Sequence, residues 1–178
     1  MPFRAAAVLA ASLVILPSAS LSAAPAPPVS AGGIAWTLPA RWTAGAGSAM
    51  RVATYAVPAA KGTEAGECAV FFFGPGQGGG VDDNVARWAK QFEGAPRAHA
   101  TATPVAGVRV TRVEVAGTYL APGGPKMQAT GRKTGYRLLG AIVEAPGGNV
   151  FFKLTGPAAT VGAAQAEFDA LVASIRKK

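Results

Sequence analysis

The sequence predicts an α+β fold: a single domain built on an antiparallel β-sheet flanked by helices. Three observations carry that expectation. Short β-leaning segments ended by Gly or Pro recur through the chain, an amphipathic helix pattern follows a glycine-rich turn at 74–80, and a second helix pattern follows the last hairpin. With 178 residues and 50% hydrophobic composition, the chain can bury a proper core but is short for two domains.

Residues 1–23 read as a signal peptide. Arg4 supplies a positive start, 5–16 form an apolar stretch too short to cross a bilayer at about 1.5 Å per residue, and the small residues of 18–24 offer cleavage sites. The expected destination is the periplasm or the medium, with no transmembrane segment. Cys68 is the only cysteine, so none follows the apolar stretch to accept a lipid and no internal disulfide can form. Residues 24–33, rich in Pro, Ala and Gly, read as a flexible linker, and 34–178 as the domain.

Residues 34–38 predict a short strand stopped by Pro39, with Trp36 and Trp42 at the edge of the core. Residues 50–57 alternate and end at Pro58. A polar turn then leads into the apolar run 69–73, giving an antiparallel hairpin whose second strand is covered on both faces. Gly74, Gly76, Gly78, Gly79 and Gly80 let the chain reverse sharply, and Asp82 or Asp83 is expected to cap the helix that follows. Along that helix Val81, Val85, Trp88, Ala89 and Phe92 share one face, opposite Arg87, Lys90, Gln91 and Glu93.

Residues 94–103 read as a surface loop containing His99. In the β-like segment 105–120, Val108 and Val110 have one parity and Val113 and Val115 the other. A bulge near Thr111 and Arg112 would restore a single apolar face. Residues 126–135 are polar and basic, a loop or short edge strand. Segments 136–144 and 149–155 flank Ala145-Pro-Gly-Gly148 as a hairpin. Phe168, Leu171, Val172 and Ile175 then follow helical spacing, and Arg176-Lys177-Lys178 suits the negative end of the helix dipole.

The run from Tyr136-Arg-Leu-Leu-Gly-Ala-Ile-Val-Glu through Phe151-Phe-Lys-Leu-Thr-Gly-Pro to Phe168-Asp-Ala-Leu-Val-Ala-Ser-Ile175 resembles the PsbP/Mog1-type fold, an α/β/α sandwich. The segment Gly-Gln-Gly-Gly-Gly-Val-Asp-Asp-Asn-Val-Ala-Arg-Trp-Ala-Lys-Gln-Phe is similar to a motif of uncharacterised exported bacterial proteins. Characterised members of that superfamily are accessory proteins that bind partners, among them an extrinsic photosystem II subunit and a Ran-binding nuclear import factor. The resemblance therefore implies a binding protein, and carries no binding residue onto a position of this chain.

The residues themselves supply no catalytic pattern. Ser48 and Ser174 stand isolated with no Gly-x-Ser-x-Gly elbow, Cys68 enters an apolar strand where a thiol stays neutral, and His99 is solitary. The pairs Glu64 and Glu67, and Asp82 and Asp83, carry no substrate motif. The glycine turn lacks the lysine and Ser/Thr of a phosphate loop, its spacing does not match a dinucleotide fingerprint, and its two aspartates stand where an anion would sit. No enzyme, cofactor or metal is expected.

The formal charge of +8 serves solubility or draws the protein to an anionic envelope component. Nucleic acid is not an expected partner, because no binding motif is present. Gln77, Gly78, Gly79, Asn84 and Arg87 form the candidate recognition surface, with tight packing of the turn on its own domain as the alternative. The function expected is that of an exported, non-enzymatic binding or accessory protein for a protein or envelope component. The alternative is a small-molecule or lipid carrier with Trp36, Trp42 or Tyr119 lining a pocket; a cavity of several hundred Å3 would favour it.

Overall fold

A computed structural model describes residues 29–46, 48, 51–123 and 128–178; the leader read at 1–23 lies outside the described residues. In chain order these form β1 (Val29–Ala31), β2 (Ile34–Trp36), β3 (Thr43–Ala44), β4 (Arg51–Val57), β5 (Gly66–Phe72), α1 (Val81–Ala89), β6 (His99–Val105), β7 (Val108–Gly123), β8 (Gln128–Ala145), β9 (Gly148–Pro157), α2 (Ala158–Ala163), α3 (Gln165–Ala173) and β10 (Arg176–Lys177). Seven strands make one sheet in the order β3-β4-β5-β9-β8-β7-β6, and β1-β2-β10 make a small second sheet. Every pairing is antiparallel.

Alternation along β8 shows how both faces of the large sheet are used. Leu139, Ala141 and Val143 enter a core with Trp36, Phe152, Phe168 and Leu171. Leu138 and Ile142 point the other way, into a core with Trp88, Phe92, Val113 and Phe151. The small sheet, α2 and α3 cover the first face, and α1 covers part of the second. Each fully buried Leu, Ile or Phe stabilises by about 1.5–3 kcal/mol, so both faces hold the sheet in place. This is the helix–sheet–helix α+β sandwich that the sequence predicts.

Two-sided burial also removes the expected bulge at Thr111 and Arg112. The register with β8 is continuous from Arg109 to Gly117, and the irregularities lie between Gly117 and Tyr119 and between Ala121 and Pro122. Val108 and Val110 therefore face the α3 core, and Val113 and Val115 the α1 core. A parity change that looks like a defect for a one-faced sheet is what a two-faced sheet requires.

Other expectations are corrected by strand pairing. The end of the presumed linker is β1, which folds back on β2 through Gly32 and Gly33, both at positive φ. A Cβ on Gly32 would come within 2.8 Å of Val150 Cγ2, so the turn itself is packed against the large sheet. His99 opens the edge strand β6 rather than lying in a loop, and the described part of 126–135 belongs to the continuous strand β8. Arg176 and Lys177 extend from α3 to pair with Ala35 and Ile34, joining the two ends of the domain. Finally, α1 starts at Val81 with Gly80 as its N-cap. Asp82 and Asp83 thus sit inside the first turn, where their charge favours the dipole but neither side chain caps.

Candidate functional site

The site follows from how far α1 reaches across the sheet. Trp88 lies directly on β8 because position 140 has no side chain: a Cβ there would fall 2.1 Å from Trp88 Cζ3. This contact holds α1 over Val113, Leu138, Ile142 and Phe151. On the same face, Glu67, Ala69 and Phe71 of β5 and Lys153 and Thr155 of β9 line an open cleft of about 280 Å3. The register sets Ala69 opposite Lys153 and Glu67 opposite Thr155, so these residues form its floor.

Tyrosines from the long β7–β8 hairpin make one wall. The rings of Tyr119 and Tyr136 stack with centroids 5.9 Å apart and planes 5° from parallel. Tyr136 donates its hydroxyl hydrogen to Glu64 Oε2 at 2.8 Å, and Lys133 Nζ reaches the same oxygen at 2.9 Å. Both hydrogen bonds hold the Glu64 carboxyl below its ordinary pKa. At the opposite end Arg51 Nη1 pairs with Glu67 Oε1 at 2.8 Å, and its guanidinium lies 5.6 Å from the Phe71 ring centroid. Phe71 in turn stacks on Phe73, which is 41% exposed.

Lys153 occupies the middle. Its ammonium donates to Gln91 Oε1 at 2.5 Å and to the Tyr119 hydroxyl oxygen at 3.2 Å, and lies 5.5 Å from the Tyr119 ring centroid. Among the described residues no carboxylate is within ion-pair distance of it. Burial pushes Lys153 down to about 8; Arg51 adds to the shift and Glu67 opposes it. Burial also raises Tyr119 to about 12, so the phenol beside the ammonium stays neutral. The arrangement presents one uncompensated positive charge on a floor walled by aromatic rings.

The glycine turn adjoins this cleft through Phe73, and much of it is packed on its own domain. Gly78 has φ +87° and a Cβ there would come within 2.8 Å of the Phe73 and Phe151 rings. Asn84, expected at a recognition surface, is instead buried. It donates to the Gly78 and Gly80 carbonyl oxygens at 2.9 and 2.8 Å and accepts from Arg87 Nη1 at 3.0 Å. An amide that satisfies two inward-facing carbonyls is withdrawn from solvent, which is why Asn84 braces the turn. Gln77, Gly79 and Arg87 remain exposed.

The two tryptophans proposed for a carrier pocket lie in the core. Trp36 donates to the Tyr55 hydroxyl at 2.9 Å and meets Phe152 edge-on, and Trp42 donates to Glu167 at 3.1 Å. Only Tyr119 of that trio lines the cleft. Sequence reasoning missed Arg51, Lys133, Tyr136 and Lys153. The available signal was Lys153, a lone charge within the apolar strand 149–155, whose side chain must meet water or a partner wherever that face opens.

Comparisons with known proteins reach the fold and stop there. No family model and no curated protein matches the chain. Among solved structures, cyanobacterial PsbP from Synechocystis aligns at 14% identity and TM-score 0.49, covering 83% of this chain and 88% of that one. A Pseudomonas aeruginosa protein of unknown function aligns at 13% identity and TM-score 0.45, covering 68% of this chain and 78% of that one. A protein from Bacteroides thetaiotaomicron aligns at 12% identity and TM-score 0.40, with 84% of this chain and 47% of that chain covered. Likenesses this distant say nothing about ligand or partner.

Proposed function

We propose that this chain is an exported, non-enzymatic binding protein whose partner face runs from Phe73 at the glycine turn, over Phe71 and Arg51, to the cleft at Lys153. The single observation behind this reading is Lys153, a half-buried ammonium hydrogen-bonded to neutral groups in an aromatic-walled depression. A protein keeps an unpaired charge on the floor of a sheet at a cost in stability, and a partner's negative group offsets that cost. Exposed Phe73 adds apolar area beside it, as an interface anchor does. Export rests on the leader pattern, and the net charge of +8, which becomes +7 when Arg4 leaves with the leader, favours an anionic envelope component or an acidic protein surface. A small-molecule or lipid carrier is the weaker reading, since Trp36 and Trp42 lie in the core and only Tyr119 of the three aromatic residues expected to line its pocket borders the cleft.

The test is capture of a cross-linked partner from envelope extracts by the mature protein and by Phe73→Ser. The variant is expected to stay folded but to melt below wild type, since Phe73 also packs on Phe71 and Phe151, so capture is compared at a temperature where both proteins are folded. Capture is expected to fall sharply; undiminished capture by a folded Phe73→Ser protein places the partner face elsewhere.

A further inference from the structure

We propose that the cleft at Lys153 receives a single carboxylate, with the Lys153 ammonium as its counter-charge. This rests on the reading of that face as a binding surface and adds the chemistry of what enters it. Two features specify the ligand.

The first is charge. The cleft holds three cations, Arg51, Lys133 and Lys153, against two carboxylates, Glu64 and Glu67. Arg51 is paired with Glu67 and Lys133 with Glu64, so the excess charge belongs to Lys153. A monoanion balances it, whereas a dianion such as phosphate would bring a second negative charge toward Glu64 and Glu67. The second is the donor set: the Lys153 ammonium gives two of its three hydrogens to Gln91 Oε1 and the Tyr119 hydroxyl, which leaves one for an incoming acceptor. Thr155 lines the same floor and offers a hydroxyl as a second donor.

Binding is also expected to depend on pH. The titratable and charged groups facing the ammonium are Arg51, Glu64, Glu67, Tyr119, Lys133 and Tyr136, and Tyr119 stays neutral until about pH 12. Loss of the Lys153 proton removes the counter-charge, so affinity is expected to fall as pH rises through and beyond about 8.

Phenylacetate, 2-phenylacetamide and inorganic phosphate are the probes, titrated against the intact mature protein by calorimetry and NMR. Phenylacetate is expected to bind with a Kd at or below about 1 mM. The neutral amide and phosphate are expected to bind at least about tenfold more weakly, the fold-change of one charge-assisted hydrogen bond. Lys153→Met is expected to lose phenylacetate by a similar factor, and Lys153→Arg to retain part of it. The proposal is overturned if phenylacetate does not bind, if the amide or phosphate binds as well, or if a folded Lys153→Met protein binds undiminished. Should Lys153→Met not fold, the amide comparison and the pH profile of the wild type decide alone. Failure of the probe while Phe73→Ser still abolishes capture overturns only the carboxylate assignment; failure of both removes the binding face itself.

Discussion

Position 140 carries a hydrogen because the Trp88 ring occupies the space of a side chain, with its Cζ3 2.1 Å from where a Cβ would be. Gly140→Ala is expected to destabilise by about 1–3 kcal/mol through overpacking, and Trp88→Ala by about 3–5 kcal/mol through the cavity it leaves. In the double variant the methyl group enters vacated space, so the combined loss is expected to fall short of the sum; additive denaturant midpoints would mean that the two positions do not touch. Lys153 yields a second residue-scale prediction. A lysine held near 8 in the folded state and in its ordinary higher range when unfolded destabilises the fold while protonated. Wild-type stability relative to Lys153→Met is thus expected to be lower at pH 7 and to recover as pH climbs from about 8 toward the ordinary lysine range. Paired melts across that range check it, and a pH-independent difference would show that burial does not depress the amine.

At the scale of elements, the small sheet joins the chain's two ends. β10 pairs with β2 through Arg176 and Lys177, and the Lys178 amide donates to the Gly33 carbonyl at 3.0 Å. Deleting residues 176–178 is expected to lower the melting temperature and to speed amide exchange at Ala35 and Ile34, whose strand would lose one neighbour. Unchanged exchange would mean that β1 alone protects β2. The large hairpin was only half legible in the sequence. Residues 136–144 and 149–155 announced themselves by apolar runs around Pro-Gly-Gly, but the described part of 126–135 is polar and glycine-bearing and still extends β8, because β7 supplies the hydrogen bonds that its composition does not suggest. Likewise β6 reads as loop since all but its last residue are exposed; its strand character comes from the ladder with β7.

Across the whole molecule, Cys68 tests whether the sheet is sealed. It is fully buried on β5 and burial pushes its thiol pKa up, so labelling of the native protein is expected only at the rate of unfolding. Rapid native labelling would expose a gap in the cover over the Cys68 face of β5. Legible in the sequence alone were the α+β class, the β4–β5 and β8–β9 hairpins, the buried Trp88 side of α1 with Phe92 just beyond its end, and the glycine turn before it. Each of these is a local pattern: a period, a turn signal or an apolar stripe. Packing between distant parts of the chain, and no local pattern, turned Asn84 inward and stood Trp88 on Gly140. It alone brought Arg51, Lys133, Tyr136 and Lys153, from three strands, around one cleft. Strand order and the reach of α1 depend on contacts between residues far apart in the chain, and no local pattern encodes which distant side chains share a face.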